Sequence, residues 1–355
     1  VVAWGKNTWG QTNVPPALTH VIAIAAGDRH SLALKAEGTV VGWGSPVMGL
    51  ASVPAGLADV IAIAAGASNN LALKADGTVT VWGTNNFGPV FVPDGLTNIV
   101  AVAGGFLDSL VLRSDGALYA WGRQPRLTLV ESNVVATAQG FSAGYTHGLV
   151  LRPEGTIYSW GDNSLGQRIV PEDLTNAVAI AAGPGYSLAL RDNGTVVAWG
   201  QCWAGSGFAP VKVPPGLTNV VAISMGGDQT MVLKADGTVF SWRTAWDGAS
   251  PVTNTAPEGL TNVIAIAAGG THCLALVGDG PPQLRAAATE LQHTSSDLRL
   301  QLPTQSGRVY RLEYDTTLSG TNWNALSFVP GNGRPQTLAD PTATNTARFY
   351  RVRRW

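Results

Sequence analysis

The chain has 355 residues, room for about two domains, with a formal net charge of −1 and only 13% charged residues. That balance argues against a nucleic-acid partner, which requires a basic surface, and no apolar run reaches the ~18 residues of a membrane-spanning helix. With 43 Gly and 21 Pro, the composition suits a turn-rich all-β protein rather than a helical one, and the low lysine content leans toward an exported protein, secreted or at the cell surface.

The chain opens in Val1-Val2-Ala3-Trp4-Gly5, which reads as the end of a strand unit. From there a Trp-Gly pair recurs at Trp4, Trp43, Trp82, Trp121, Trp160 and Trp199, each 39 residues after the last, and Trp242-Arg243 follows 43 residues later. A small-residue strand ends at Gly27, Gly66, Gly105, Gly144, Gly183, Gly226 and Gly269, and a Leu-Ala-Leu-like strand follows each time. Such short β-branched runs between turn residues are strand chemistry, and Asp-Gly or Asn-Gly pairs such as Asp76-Gly77 and Asn193-Gly194 predict tight hairpins. Each unit is therefore expected to be a sheet of three or four strands, its Ala- and Gly-rich strand innermost where neighbouring units converge. Fixed-period self-similarity of this kind indicates a propeller or a solenoid.

The last unit ends near Gly280 and lacks its third strand, the one the chain begins with. The expected fold is all-β: a seven-bladed β-propeller over residues 1–280, closed by the N-terminal strand so that no long edge is left exposed, followed by a small antiparallel β-sandwich over 281–355. Pro281-Pro282 marks the boundary, and alternating runs such as Leu298–Leu302, Val309–Tyr314 and Arg348–Val352 carry the second region. It is mildly basic, which suits an anchor or second contact.

The fullest unit, Gly27 to Gly44, reads Gly-x-x-His-Ser-Leu-Ala-Leu-Lys-Ala-x-Gly-Thr-Val-Val-x-Trp-Gly. These units resemble the repeats of the regulator-of-chromosome-condensation family. Their short period is closer to the bacterial branch, which includes propeller-type β-lactamase inhibitors. The resemblance implies the propeller fold. It does not choose a function, because its members include an exchange factor, an enzyme inhibitor and many other exported proteins.

Seven internal copies allow the two faces to be compared. The face of the Asp-Gly turns and Pro-x-Gly-Leu-Thr connections is repetitive, whereas the loops after Ala-Ala-Gly and after Trp-Gly differ from unit to unit. The variable face presents Trp9, Phe87, Phe106, Tyr145, Tyr186, Trp203, Phe208 and Trp246, with Arg29, Asp108 and Asp228 among them. Aromatics with a few charges are the composition of protein-interface hot spots, and unit-specific loops gather on the binding face of repeat proteins. A protein partner is the leading expectation, with polysaccharide binding or a structural role in an extracellular assembly as alternatives. The repeat tryptophans are expected in the core between units.

The remaining polar residues carry no catalytic signature. His30, His147 and His272 share one repeat position, where a hydrogen bond within the turn is the expected role. A metal site would need three or four ligands converging on one ion. The carboxylates fall mostly in turns, and no nucleophile elbow, phosphate loop or Cys-His pairing occurs. No catalytic residue, metal or cofactor is expected, and the protein is read as a non-enzyme. Cys202 and Cys273 sit in different parts of the repeat and are expected to be free thiols rather than a disulfide.

Overall fold

The computed structural model describes residues 1–85, 88–89, 91–105, 108–122, 128–132, 134, 147–152, 154–203, 207–227, 229–243, 256–279, 290–293, 297–303, 309–316, 324–330, 335–343 and 348–354. The described residues are all-β apart from a single 3-10 turn at Val47–Gly49, and no helix among them is long and apolar enough to cross a membrane.

The repeat unit is an antiparallel meander. In the first, an inner strand Val21–Ala26 pairs with a middle strand His30–Lys35, which pairs with an outer strand Val40–Gly44. The same order recurs in Val60–Ala65, Asn70–Lys74 and Val79–Trp82, and in Val220–Met225, Gln229–Lys234 and Val239–Arg243. Among the described residues two units carry a fourth strand: Thr128–Glu131 pairs with Leu118–Trp121, and Phe208–Pro210 with the end of Val196–Trp203.

The hairpin between middle and outer strands differs in detail from the tight turn expected. Gly38 N–H donates to the Lys35 carbonyl at 2.9 Å and Lys35 N–H to the Thr39 carbonyl at 2.9 Å, so three residues are looped out. Only the glycine is left-handed, at φ 82° in Gly38 and 78° in Gly77. The preceding acid instead stiffens the turn with its side chain, as Asp76 Oδ1 accepts from Thr78 N–H at 2.9 Å. That is the three-residue hairpin with a bulged glycine, for which Asp is chosen by its side-chain bond and not by its φ. Left-handed non-glycine residues lie elsewhere, at His20, Asp59, Asn98, Asn219 and Asn262, immediately before inner strands. Asn, Asp and His tolerate that region best. The inner strand then shifts register two residues on, between Val21 and Ala23 in the first unit and between Val263 and Ala265 in the last.

Consecutive inner strands pack on one another: Val21–Ala26 on Val60–Ala65, the latter on Ile99–Gly104, and Ala177–Ala182 on Val220–Met225. Val263–Ala268 packs on Val220–Met225 and also on Val21–Ala26, so the last inner strand meets the first. Their ends surround a cavity of about 110 Å³ lined mainly by glycine and alanine, including Gly27, Gly66, Gly105, Gly226 and Gly269. Small residues are required there because a Cβ on Gly27 would lie 2.6 Å from the Gly66 carbonyl oxygen. The opening strand Val2–Gly5 pairs antiparallel with His272–Val277, Val2 opposite Ala275 and Gly5 opposite His272.

Between units lie the repeat tryptophans and the Leu-Ala-Leu side chains. Trp43, Trp82, Trp121, Trp199 and Trp242 are buried, and Leu32, Leu34, Leu71 and Leu73 are fully so. Trp4 and Trp160 are half-buried. Cys202 and Cys273 are free, and burial pushes the Cys273 thiol up to about 12.

Toward the C-terminus, Leu298–Pro303 pairs with Glu290–His293 and Pro335–Asp340, and Val309–Asp315 with Asn324–Pro330 and Phe349–Arg354. These two three-stranded sheets share one apolar cluster, built on Leu298, Leu302, Tyr310, Leu312 and Leu338. Asp340 is fully buried beside it, accepting from Tyr350 Oη at 3.0 Å and from Arg348.

Candidate functional site

The loop that leaves each outer strand is built the same way wherever it is described in full. It runs Gly5–Gln11, Gly44–Leu50 and Gly161–Gln167. The sixth residue of each, Gly10, Gly49 or Gly166, is left-handed at φ 77°, 68° or 73°. That turn sends the next residue inward, and Gln11, Leu50 and Gln167 are buried. Their carbonyls are the anchor. Gln11 O accepts from Trp43 Nε1 at 3.0 Å and from Ser31 Oγ at 2.9 Å; Leu50 O accepts from Trp82 Nε1 at 3.3 Å and from Asn70 Nδ2 at 3.0 Å. Gln167 O accepts from Trp199 Nε1 and Ser187 Oγ, both at 2.9 Å. In these three units the tryptophan thus fixes the loop of the unit before it, whereas the indole nitrogens of Trp4, Trp121 and Trp242 are buried with no partner among the described residues. Buried indole N–H groups find such partners because leaving them unpaired is costly.

With its base pinned, each loop holds up a tip residue at its fifth position: Trp9, Met48 or Leu165. Trp9 is 41% exposed, Met48 40%, and Val47 beside it 48%. The Arg29 guanidinium lies over the Trp9 ring at 5.5 Å, and Arg29 Nε pairs with the Asp28 carboxylate at 3.1 Å. Met48 is itself left-handed at φ 62°. It is the sole non-glycine in that region, among the described residues, outside the Asn, Asp and His positions before inner strands. An exposed apolar side chain on a strained backbone gains little inside its own chain. Val47 and Met48 were missed by aromatic counting, although Met48 stands at the repeat position of Trp9.

A second set of loop residues turns inward. His30 Nε2 bonds Asn70 Oδ1 of the next unit at 2.6 Å, His147 Nε2 bonds Ser187 Oγ at 2.9 Å, and His272 Nε2 bonds Ser31 Oγ at 2.9 Å. At the same repeat position Asn69 Nδ2 donates to Ser109 Oγ at 2.7 Å, and Tyr186 Oη lies 3.1 Å from Thr230 Oγ1. Gln229 Oε1 accepts a long contact from Cys273 Sγ at 3.9 Å. The shared role is a bond to the neighbouring unit and not, as expected for the histidines, one within the turn.

The histidine tautomer follows from the bonding. Ser31 and Ser187 spend their hydroxyl protons on the Gln11 and Gln167 carbonyls, and Asn70 Oδ1 can only accept. Each Nε2 therefore carries the proton. Each Nδ1 is a buried lone pair with no partner among the described residues. Burial holds His147 and His272 down to about 4, with Asp162 opposing and Arg168 reinforcing at His147, and His30 reinforcing at His272. Burial lowers His30 as well, against its bond to Asn70 and the charge of Asp28.

The expected partner-binding residues divide accordingly. Trp9 and Arg29 come together on the exposed face. Phe208 is 54% exposed on a short strand, opposite Trp203 in register, and of Trp203 only the backbone is described. Asp108, at the repeat position of His30, is exposed. Tyr186 is a correction: it is 2% exposed and belongs to the bonds between units, because its ring stacks inward where the histidines of other units do. Phe87, Phe106, Tyr145, Asp228 and Trp246 lie outside the described residues. Among the described residues no group of three His, Cys, Asp or Glu side chains could hold a metal ion.

Four segments, residues 21–49, 60–88, 139–167 and 177–201, match the regulator of chromosome condensation (RCC1) repeat. No curated protein matches the chain. Among solved structures it is similar to Prp20p from Saccharomyces cerevisiae, at 20% identity and TM-score 0.62 over 80% of this chain and 91% of that one. It is similar also to human WBSCR16, at 18% identity and TM-score 0.61 over 78% and 98%. A structure of Kap60 bound to yeast RCC1 (Prp20) aligns at 20% identity and TM-score 0.63, over 80% and 88%. At these identities the likeness is one of fold: the chain is an all-β propeller repeat protein.

Proposed function

We propose that this propeller is an extracellular binding module that captures a protein partner on its variable loop face. The reading takes residues 1–280 as a closed seven-bladed ring and 281–355 as a β-sandwich that anchors the ring or makes a second contact. It keeps Trp9, Arg29, Asp108 and Phe208 as contact residues, adds Val47 and Met48, and leaves Phe87, Phe106, Tyr145, Trp203, Asp228 and Trp246 as candidates on the same face. The observation that carries it is the pair of tips at Trp9 and at Val47-Met48, which are exposed on loops whose bases are pinned by hydrogen bonds. Rigid, apolar, exposed side chains contribute binding energy at little entropic cost. Proteins of this fold give the reading a precedent: Prp20p is described by its binding to Gsp1p and histones, and yeast RCC1 (Prp20) by a complex with Kap60.

The test is capture on the immobilised chain from cell-surface and culture-medium fractions of the source organism, with the retained protein identified and its affinity measured. The W9A/M48A double variant should lose at least tenfold in affinity while its melting temperature stays within a few degrees, because both residues are exposed. Undiminished capture by that variant would place the contact elsewhere. Retention on a glycan array, lost in W9A, would favour a sugar ligand.

A further inference from the structure

One hairpin turn on the repetitive face differs from the others in a single chemical group. The residue before the turn glycine is Glu37, Asp76, Asp115, Glu154, Asp236 or Asp279 in six units, and Asn193 in the fifth. Asp76 and Asp236 each accept at Oδ1 from the N–H of the threonine two residues on, at 2.9 and 3.0 Å, and from its hydroxyl at 2.6 Å. Asn193 copies this with an amide: its Oδ1 accepts from Thr195 N–H at 3.1 Å and from Thr195 Oγ1 at 2.7 Å. The side chain is exposed, the next residue is a glycine at φ 78°, and the bond to Thr195 closes a ring of atoms that includes the Gly194 nitrogen.

That arrangement is set up for an attack of the chain on itself. With no Cβ on Gly194, nothing on that residue hinders the approach of its nitrogen to Cγ of Asn193. When the Gly194 N–H gives its proton to hydroxide and the nitrogen adds to Cγ, negative charge develops on Oδ1, where both Thr195 donors already point. The Cγ–Nδ2 bond then breaks, ammonia leaves with a proton, and a succinimide joins the two residues. Water opens that ring at either carbonyl. Breaking the bond between the Gly194 nitrogen and Cγ leaves aspartate; opening at the main-chain carbonyl leaves isoaspartate, with the backbone lengthened by a methylene. We propose that Asn193 is a self-modification site of this chain, converted through a succinimide with Gly194 into an acid that the turn already fits.

The product side is built in. Aspartate at 193 is the residue type that the second, third and sixth units use. Lys35, Lys74, Arg113 and Lys234 each pair with the acid two residues on, whereas Arg191 reaches Asp173 instead, at 2.6 Å. Conversion gives Arg191 an acid at the same spacing and adds a negative charge to the repetitive face. Isoaspartate fits poorly, because Gly194 N–H bonds the Arg191 carbonyl at 3.0 Å and the Gly194 carbonyl accepts from Val220 N–H at 3.1 Å, and a longer backbone breaks that register. Asn176, on the same face, is the contrast. Its Nδ2 donates to Asp192 Oδ1 at 2.6 Å, its Oδ1 is buried with no donor among the described residues, and Ala177 follows it at the start of a strand. The chain's other Asn-Gly pair, Asn332-Gly333, lies outside the described residues.

The test is to hold the full folded chain in mildly alkaline buffer made with heavy-oxygen water and follow its peptides by mass spectrometry. The peptide carrying Asn193 should change from amide to acid with uptake of heavy oxygen, well ahead of the peptide carrying Asn176, and should elute mainly with that of an N193D reference. The T195V variant removes the hydroxyl donor and should slow the conversion about fivefold, the worth of one net hydrogen bond. Conversion no faster at Asn193 than at Asn176, an unchanged rate in T195V, or a product that is mainly isoaspartate would overturn the proposal. If T195V does not fold, the comparison with Asn176 and the product ratio in the unsubstituted chain decide the matter. Asn193 precedes its outer strand, Val196–Trp203, whereas the variable loops follow theirs, so this proposal and partner capture can fail independently.

Discussion

Two positions of the repeat, one at or just before the start of the middle strand and one in the loop after the outer strand, have opposite fates. The position of His30 turns inward where it is His, Asn, Tyr or Gln, each of which bonds the next unit, while Asp108 at the same position is exposed. The position of Trp9 turns outward: it is Trp, Met or Leu, and the first two are exposed on loops already held by other atoms. At the inward position identity varies while the bond is kept, which marks a structural constraint. At the outward position the three fully described loops carry an apolar side chain with no internal side-chain hydrogen bond, which marks a surface for something else. Variability by itself therefore does not identify a binding face; what each varying residue touches does.

The largest effect is expected where the first strand of the chain completes the last unit. Removing residues 1–5 deletes the strand opposite His272–Val277, leaves that strand with an open edge, and takes Trp4 out of the cluster around Ala275 and Leu233. The truncated chain should melt at a lower temperature and associate through the open edge, seen as concentration-dependent light scattering. A monomeric truncation with an unchanged melt would show that the strand does not hold the last unit.

A smaller but still large effect is expected at Trp43. Its ring is buried and its indole N–H donates to Gln11 O at 3.0 Å, the bond that pins the loop bearing Trp9. Trp43→Ala should destabilise by roughly 3–5 kcal/mol in denaturant unfolding, the range for large core truncations. Trp43→Phe keeps most of the apolar contact and removes the donor, and should cost about 1–2 kcal/mol. The phenylalanine variant sharpens the comparison further. If the pinned loop is what makes Trp9 a rigid contact, W43F should weaken partner binding without touching the exposed face.

How much of this could be seen in the chain itself depends on distance along it. The repeat and its strands were plain because Trp-Gly, the Leu-Ala-Leu run and the Asp-Gly turn each complete their local task within a few residues. The pairing of Val2–Gly5 with His272–Val277 was legible for a related reason, since a missing strand at one end matched a spare one at the other. The belt of side chains between units was not, because each bond joins residues 40 or 44 positions apart, or 241 between the last unit and the first. Tyr186 was misplaced on the surface for that reason: an aromatic in a variable loop has the composition of a contact residue, and only its bond to Thr230 reveals the other role. Met48 is not legible in the sequence because its distinguishing property is a dihedral angle, and composition carries no trace of that.

Met48 offers the smallest effect and the most pointed one. In the left-handed region an L-residue with a Cβ is strained by roughly 1–2 kcal/mol, while glycine there gives back about 0.5–1 kcal/mol in chain entropy. Since the side chain is 40% exposed and lines no core cluster, Met48→Gly should leave the protein more stable, by about 0.5–1 kcal/mol in denaturant unfolding. At an internal position such as Leu32 or Trp43, truncation can only destabilise. If the tip exists to meet a partner, the same variant should bind less well, so stability and affinity should move in opposite directions. A Met48→Gly chain that loses stability would mean that the methionine packs against its own fold. One that gains stability and keeps full affinity would leave the strain at φ 62° without a role in binding, and would confine the contact to the Trp9 side of the face.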